Sequence, residues 1–371
     1  MHLLFDVVNK NYCKIFNLML YCTQIKKRVL SGFFKQEMPG KKSVLLNLRT
    51  DKFIAMRVGR KKYYIGIDLG GTFIKGGIIT KKGKMIIKGE VPTESEKGAD
   101  GVVANICKLV DSLIEKGGVP RERVAGIGLG SPGMIDSESG MVLYAANLNW
   151  IRVPLAEKLQ ESSGFKVKIT NDANAAALGE AMFGASKQYR DSVLITLGTG
   201  LGGGIIIDKK IFAGNRSAGA ELGHMIIKAG GEKCTCGLKG CFEAYCSATA
   251  LIRQTRRAME KHKESLMWEV GIENVNGKTP FDYYDRDPVA KRVVNNYLKM
   301  LTVGFINVAN VFRPEAIILG GGISKQTWIA DPLQKMLDKN IFASGHGPWV
   351  KVEIAKLRND AGTYGAAAML F

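Results

Sequence analysis

Histidine and cysteine are scarce in this chain, with 4 His and 7 Cys among 371 residues. Seven Cys over this length do not make a disulfide scaffold, and a reducing cytoplasm fits them best. Long apolar runs are also missing. The most lipid-like stretch, residues 3–22, carries Asp6, Lys10 and Lys14, which break any run of spanning length. No membrane partner is therefore expected. No secretory signal is expected either, because the charge order is wrong and no small-residue cleavage site follows. Acidic residues are few, 34 against 53 Lys and Arg, for a formal net charge of +19. Taken alone, that suggests an anionic partner such as nucleic acid, phosphate or an acidic membrane. The deficit is local, however. Up to Lys62 only Asp6, Glu37 and Asp51 oppose a dense basic run that includes Lys26, Lys27, Arg28, Lys41, Lys42, Arg57, Arg60 and Lys61. The remainder is mildly basic, and nucleic acid is not an expected partner of the body.

What is present is ordinary globular material: 46% hydrophobic residues, a mean hydropathy of -0.00 and enough length for two packed domains. The 44 Gly cluster in short runs, which points to sites built from backbone. Residues 1–56 lack both Gly-rich turns and a clear period. Met56 stands just ahead of the change in character, so it is read as the natural start, with upstream sequence before it. A peptide spanning Leu45 to Ile54 in native extract would overturn that. The rival reading is a basic arm that binds DNA or a partner.

From Tyr63 the pattern becomes regular. YYIGIDLGG reads as an apolar strand running into a Gly turn, and FIKGGIIT and KMIIKGEVP as further strands joined by a KKG hairpin. Residues 99–117 carry helical spacing through Val103, Ile106, Val110, Leu113 and Ile114, with Cys107 as a small core residue. KVKIT followed by NDANAAALGEAMFG is a strand and then an Ala-rich helix. SVLITLGTGLGGGIIID is two strands around a Gly turn, and EAIILGGGIS repeats the strand-to-turn theme. The triple-strand beginnings at Tyr63 and Ser192 look like a duplicated unit. Two related α/β lobes with a ligand cleft at the strand ends are expected.

Three Gly turns are candidate phosphate sites. In Asp68–Thr72, Gly70 and Gly71 let backbone N–H groups approach an anion, Thr72 adds a hydroxyl, and Asp68 suits Mg²⁺ held through water. The same residues also make a plain hairpin turn with a capping Asp. GTGLGGG, with Thr199 and Gly200, is the second. It is no Walker A loop, because no Gly-Lys-Ser/Thr follows, and no dinucleotide fingerprint, because a strand comes next. Two such hairpins facing across a cleft would bracket a triphosphate. At Gly320, Gly321 and Gly322 a flat base would lie against backbone. Asn171 and Asp172 read first as a helix N-cap. Read for function, Asp172 accepts a proton from a substrate hydroxyl and Asn171 fixes a neighbouring one. A helix N-terminus favours the ionised carboxylate, so Asp172 is expected to be a weak base.

Four of the scarce His and Cys residues fall together: His224, Cys234, Cys236 and Cys241. Cys₃His is a closed tetrahedral zinc set, and the expected zinc is structural, with Cys246 just outside it. Glu221 and Glu243 flank the ligands. A zinc that fixed this loop would also fix those carboxylates, which suit bidentate capture of sugar hydroxyls. His224 is free to ligate through one ring nitrogen and donate from the other.

DLGGT, SPG, NDANAAALGEA, GTGLGGG, ELGH with CTCGLKGCFE, and LGGGIS, in that order, resemble the ROK family of sugar kinases and sugar-responsive repressors. The resemblance runs from about Tyr63 to Phe371. It implies the two-lobed actin-like ATPase fold with RNase H-like lobes, the first lobe at 57–172 and the second at 173–371, and a C-terminal helix packing back on the first. By motif it implies Asp172 as catalytic base. It implies Gly133, Asn171, Glu221, His224 and Glu243 as hexose contacts. Asp68, Gly70, Gly71 and Thr72 become the first phosphate motif, Thr199 and Gly200 the second, and Gly320, Gly321 and Gly322 the adenosine motif. The zinc ligands match His224, Cys234, Cys236 and Cys241. The implied activity is transfer of phosphoryl from Mg²⁺-bound ATP to a hexose 6-hydroxyl, with glucose first and fructose or N-acetylhexosamines as alternatives, in a dimer or tetramer. A different class, a sugar-sensing regulator binding DNA through residues 1–56, stands beside it, although the extension lacks the winged helix-turn-helix pattern of the repressor branch.

Overall fold

The computed structural model of the protein describes residues 62–371; the expected basic extension, residues 1–56, lies outside them. The run YYIGIDL forms β1 (Tyr63–Leu69), which is almost wholly buried because it occupies the centre of its sheet. It turns back through β2 (Phe73–Thr80) and β3 (Met85–Pro92). The amphipathic helix α1 (Gly98–Lys116) then buries Val102, Val103, Ile106, Leu109, Val110 and Leu113 and leads to β4 (Val124–Ser131). A three-stranded antiparallel sheet follows: β5 (Met134–Asp136), β6 (Met141–Ala145) and β7 (Trp150–Val153). Helix α2 (Leu155–Ser163) and β8 (Val167–Asn171) complete the first main sheet in the order β3-β2-β1-β4-β8.

Helix α3 (Asp172–Phe183) is rich in Ala and buried on nearly every side, as a helix without a polar stripe must be. The second main sheet repeats the plan of the first. It contains β9 (Ser192–Leu197), β10 (Leu201–Ile207) and β11 (Lys210–Phe212), then β12 (Ala316–Gly320) and β13 (Lys351–Ile354), in the order β11-β10-β9-β12-β13. Its longer helices are α4 (Ala248–Lys261), α5 (Pro288–Phe312) and α6 (Ala330–Asn340). Within each sheet the central strand pairs antiparallel with the next strand and parallel with a later one. The duplicated unit read from the sequence is therefore a duplicated topology.

The last helix, α7 (Ala361–Ala368), packs on β1, β4 and α3. The approach is close enough that a Cβ at Gly66 would lie 1.9 Å from the Thr363 carbonyl oxygen, and one at Gly128 1.8 Å from that of Ala366. Glycine in the strands thus lets the C-terminus reach back over residues 63–131. Cys107 is half-buried against the first core instead of lying inside it, because its side of α1 meets solvent.

Candidate functional site

The turns at the ends of β1 and β9 and the start of α3 converge on a cavity of about 560 Å³. Its walls carry Asp68, Gly133, Asn171, Asp172, Gly200, Glu221, His224, Glu243 and Gly321, which the sequence had scattered over some 250 positions. Gly70, Gly71, Thr72, Thr199, Gly320 and Gly322 belong to the same turns but lie outside the lining. A second cavity, about 830 Å³, opens farther along α3 beside Leu178 and Met182, with Glu138 its single acid. It is larger but lacks the carboxylate and glycine constellation, so the first cavity is the candidate site.

Asn171 caps α3. Its side-chain oxygen accepts from the Ala173 and Asn174 N–H groups at 2.9 and 3.2 Å, and its amide donates to the Gly133 carbonyl at 3.1 Å. Capping and site-building therefore coincide in one residue. Asp172, next in line, accepts from the Ala173 N–H at 2.8 Å. The expected weak base is not what the structure gives. Burial pushes Asp172 from 3.8 up to about 6; the Ala173 N–H opposes the rise, and the Asp68 and Glu221 charges add to it. Desolvation and like charge outweigh the helix end.

Burial also raises the pKa of Asp68, and Lys75 works against that rise. The two are direct cross-strand partners in the β1–β2 register. A Cβ at Gly362, in the first turn of α7, would sit 2.7 Å from the Asp68 carboxyl, so glycine there is what admits the helix end beside the carboxylate. In the second sheet, the turn after β9 is tied down at Gly198, whose carbonyl accepts from the Ala248 N–H at 2.8 Å, and at Thr199, whose carbonyl accepts from the Thr249 hydroxyl at 2.8 Å. Gly321, with φ 83°, is pressed against Leu197; a Cβ would fall 2.5 Å from its carbonyl oxygen.

Glu243 engages protein with both carboxylate oxygens. One accepts from the Leu201 N–H at 2.9 Å, the other from the Thr235 hydroxyl at 3.1 Å. It thereby links the second Gly turn to the cysteine loop. Glu221 lines the same cavity, its pKa raised by partial burial of the carboxyl, with His224 lowering it and Glu243 raising it further.

The ligand atoms of His224, Cys234, Cys236 and Cys241 all lie within 4.8 Å of one another. Cys236 and Cys241 are 3.6 Å apart at sulfur, and Cys234 Sγ is 3.8 Å from His224 Nδ1. A tetrahedral zinc with bonds near 2.3 Å requires sulfurs about 3.8 Å apart, so the set fits that ion. Backbone pairing of Ile226 with Cys241 and of Lys233 with Lys239 folds the loop around it. Cys246 is buried apart from the cluster.

Lys75, Asn147, Thr196, Arg358 and Asn359 also line the cavity and were not singled out in the sequence. Lys75 was within reach of reasoning, because a hairpin through DLGGTFIK places it opposite Asp68. Arg358 and Asn359 had no local signal. They arrive at the cleft only because α7 folds back on β1.

The ROK family sequence model matches residues 64–371. A glucokinase of Halalkalibacterium halodurans is 37% identical over 312 residues, covering 82% of this chain and 93% of that protein. A glucokinase of Thermotoga maritima is 35% identical, covering 82% and 96%. Among solved structures, a ROK family glucokinase from Streptomyces griseus in complex with glucose and AMPPNP superposes with a TM-score of 0.72 at 34% identity, covering 83% of this chain and 98% of that one.

Proposed function

The chain belongs to the ROK family, and we propose that it is an ATP-dependent glucokinase whose catalytic base is Asp172. It is a hexokinase-type sugar kinase with the two-lobed actin-like ATPase fold. The observation that carries the mechanism is a buried aspartate with a pKa of about 6, at the junction of two lobes, facing Gly turns from both sheets. At neutral pH such a group is mostly ionised yet basic enough to take a proton.

In this reading glucose lies against Asn171, Gly133, Glu221, His224 and Glu243. Its 6-oxygen attacks the γ-phosphorus of ATP in line, the bond to the ADP oxygen breaks, and the hydroxyl proton passes to Asp172. The transition state is loose, so positioning and charge do most of the work. The turns at Gly70–Thr72 and Thr199–Gly200 hold the phosphates, and Gly320–Gly322 lie against the adenosine. Asp68 would hold Mg²⁺, which would supply neutralisation of the phosphate charge. Zinc on His224 Nδ1, Cys234, Cys236 and Cys241 would supply rigidity to Glu221 and Glu243, leaving the other imidazole nitrogen for the sugar. We assign residues 57–172, of which 57–61 lie outside the described residues, to the first lobe and 173–371 to the second, with closure between them excluding water.

The finer setting belongs to the same proposal. No described helix is long and apolar enough to cross a membrane. A reducing cytoplasm suits the thiols of the cysteine loop, which would bind zinc as thiolates. A homodimer or tetramer is supported by exposed Val311, Phe342 and Trp349 near the end of α5. The test is ADP formation with Mg²⁺-ATP over a panel of glucose, mannose, fructose and N-acetylglucosamine. The highest kcat/KM is expected for glucose; a protein that turns over none of them is not the proposed enzyme.

A further inference from the structure

Arg358 has a backbone φ of 53°, in the left-handed region that a residue with a Cβ seldom adopts. Such outliers persist where the surroundings impose them, and they concentrate at functional sites. Here the surroundings are explicit. On one side, the Lys356 and Leu357 N–H groups donate to the two oxygens of Glu180, at 3.1 and 2.7 Å, and Glu180 is completely buried. On the other, Asp360 is paired with Lys88 at 2.9 Å. The segment is held at both flanks, and its middle residue is displayed at the wall of the cleft.

The Arg358 side chain makes no hydrogen bond or ion pair among the described residues. The cleft lining supplies four carboxylates, Asp68, Asp172, Glu221 and Glu243, against two permanent cations, Lys75 and Arg358. Lys75 already faces Asp68 across the hairpin. Of the two lining cations, Arg358 is therefore the one left to meet an anionic polyphosphate. A guanidinium is the side chain best matched to phosphate oxygens, because its planar fork donates two parallel bonds.

We propose that Arg358 is a phosphate clamp: a guanidinium held out from the 356–360 loop that binds the polyphosphate of the nucleotide and orients its terminal phosphoryl group toward Asp172. The inference rests on the reading of the cleft as a kinase site. In that setting, donors placed where charge accumulates act on both binding and transfer.

Arg358→Gly is the informative variant, because it removes the side chain, guanidinium included, while glycine accepts the left-handed backbone without strain. Expected are a KM for ATP raised tenfold or more, a lower kcat, a glucose KM within twofold of the parent and a Tm no lower than the parent's. Arg358→Lys should recover part of the loss, as charge without the fork. An ATP KM within twofold in Arg358→Gly overturns the proposal. Equal losses in Arg358→Gly and Arg358→Lys would confine the role to the bidentate fork and support it. Calorimetric binding of Mg²⁺-AMPPNP to parent and Arg358→Gly protein separates this inference from the function it rests on. If the parent phosphorylates no sugar but binds the analogue at least tenfold tighter than the variant, the kinase reading falls and the clamp stands. Equal binding by the two proteins, or none by the parent, removes the clamp.

Discussion

β1 and β9 hold the same place in their sheets, central, with an antiparallel neighbour after a Gly turn and a parallel neighbour later. The residues at the matching positions differ. Near the end of β1, Asp68 faces Lys75 across the hairpin. Near the end of β9, Thr196 faces Gly202 and accepts from its N–H at 3.2 Å. The first turn carries its own carboxylate. The second obtains one from outside, Glu243, which is fastened to the cysteine loop. One scaffold used twice thus yields two local chemistries: a carboxylate set opposite a lysine on one side, and a turn braced through Glu243 by the cysteine loop on the other. Asp172 sits where the two halves meet.

The sharpest way to break this comparison is at the junction. Asp172→Ala should lower kcat about 10³-fold with glucose affinity changed by no more than a few-fold, measured by steady-state kinetics and calorimetry. The two turns can then be set against each other. Asp68→Asn should lower kcat/KM for ATP by about 100-fold and spare glucose binding. Glu243→Ala should raise the glucose KM by about tenfold through the loosened loop. Two-substrate kinetics giving the same profile for both variants would mean that the halves are equivalent after all. Chelation of zinc from folded protein should likewise raise the glucose KM about tenfold before AMPPNP affinity changes, and an unchanged glucose KM would detach the loop from the sugar side.

The smallest effect concerns stability. Asp172 holds its proton up to about pH 6 in the folded protein, against an ordinary 3.8. Between those values the native state binds more protons than the unfolded chain, so stability falls as pH rises from 3.8 to 6 and then levels off. Asp172→Asn escapes that loss. Urea unfolding without substrate should find the variant more stable at pH 7 by about 2–3 kcal/mol, with the advantage gone at pH 3.5. A variant less stable than the parent at pH 7 would mean that the buried carboxylate is better accommodated than its surroundings indicate.

Most of the fold could be read locally. Apolar strands ending in Gly runs, the spacing of Val103 through Ile114, and the Ala-rich segment after Asp172 all formed the elements their periods implied. The His224–Cys241 cluster was legible because such ligands are rare elsewhere in the chain. The strength of Asp172 as a base was not. The N-terminal position of Asp172 on α3 is local and lowers a pKa, whereas its burial and the Asp68 and Glu221 charges arrive from other elements. Arg358 and Asn359 were hidden for a related reason: their place in the cleft depends on α7 crossing β1 at Gly66 and β4 at Gly128. Glu243 was read as a sugar ligand from its neighbours in sequence. Its bond to the Leu201 N–H, 42 residues away, is a product of the fold.

The central claim is that the Asp172 carboxyl, raised by burial, is the base in sugar phosphorylation. It is tested most directly by the pH dependence of kcat/KM for glucose between pH 4.5 and 8.5, in the parent and in Asp172→Ala. The account predicts a single ionisation near 6 in the parent, with activity falling about tenfold per unit below it, and no such break in the variant's residual activity. A parent profile flat through pH 6, or a break that survives in Asp172→Ala, would contradict it.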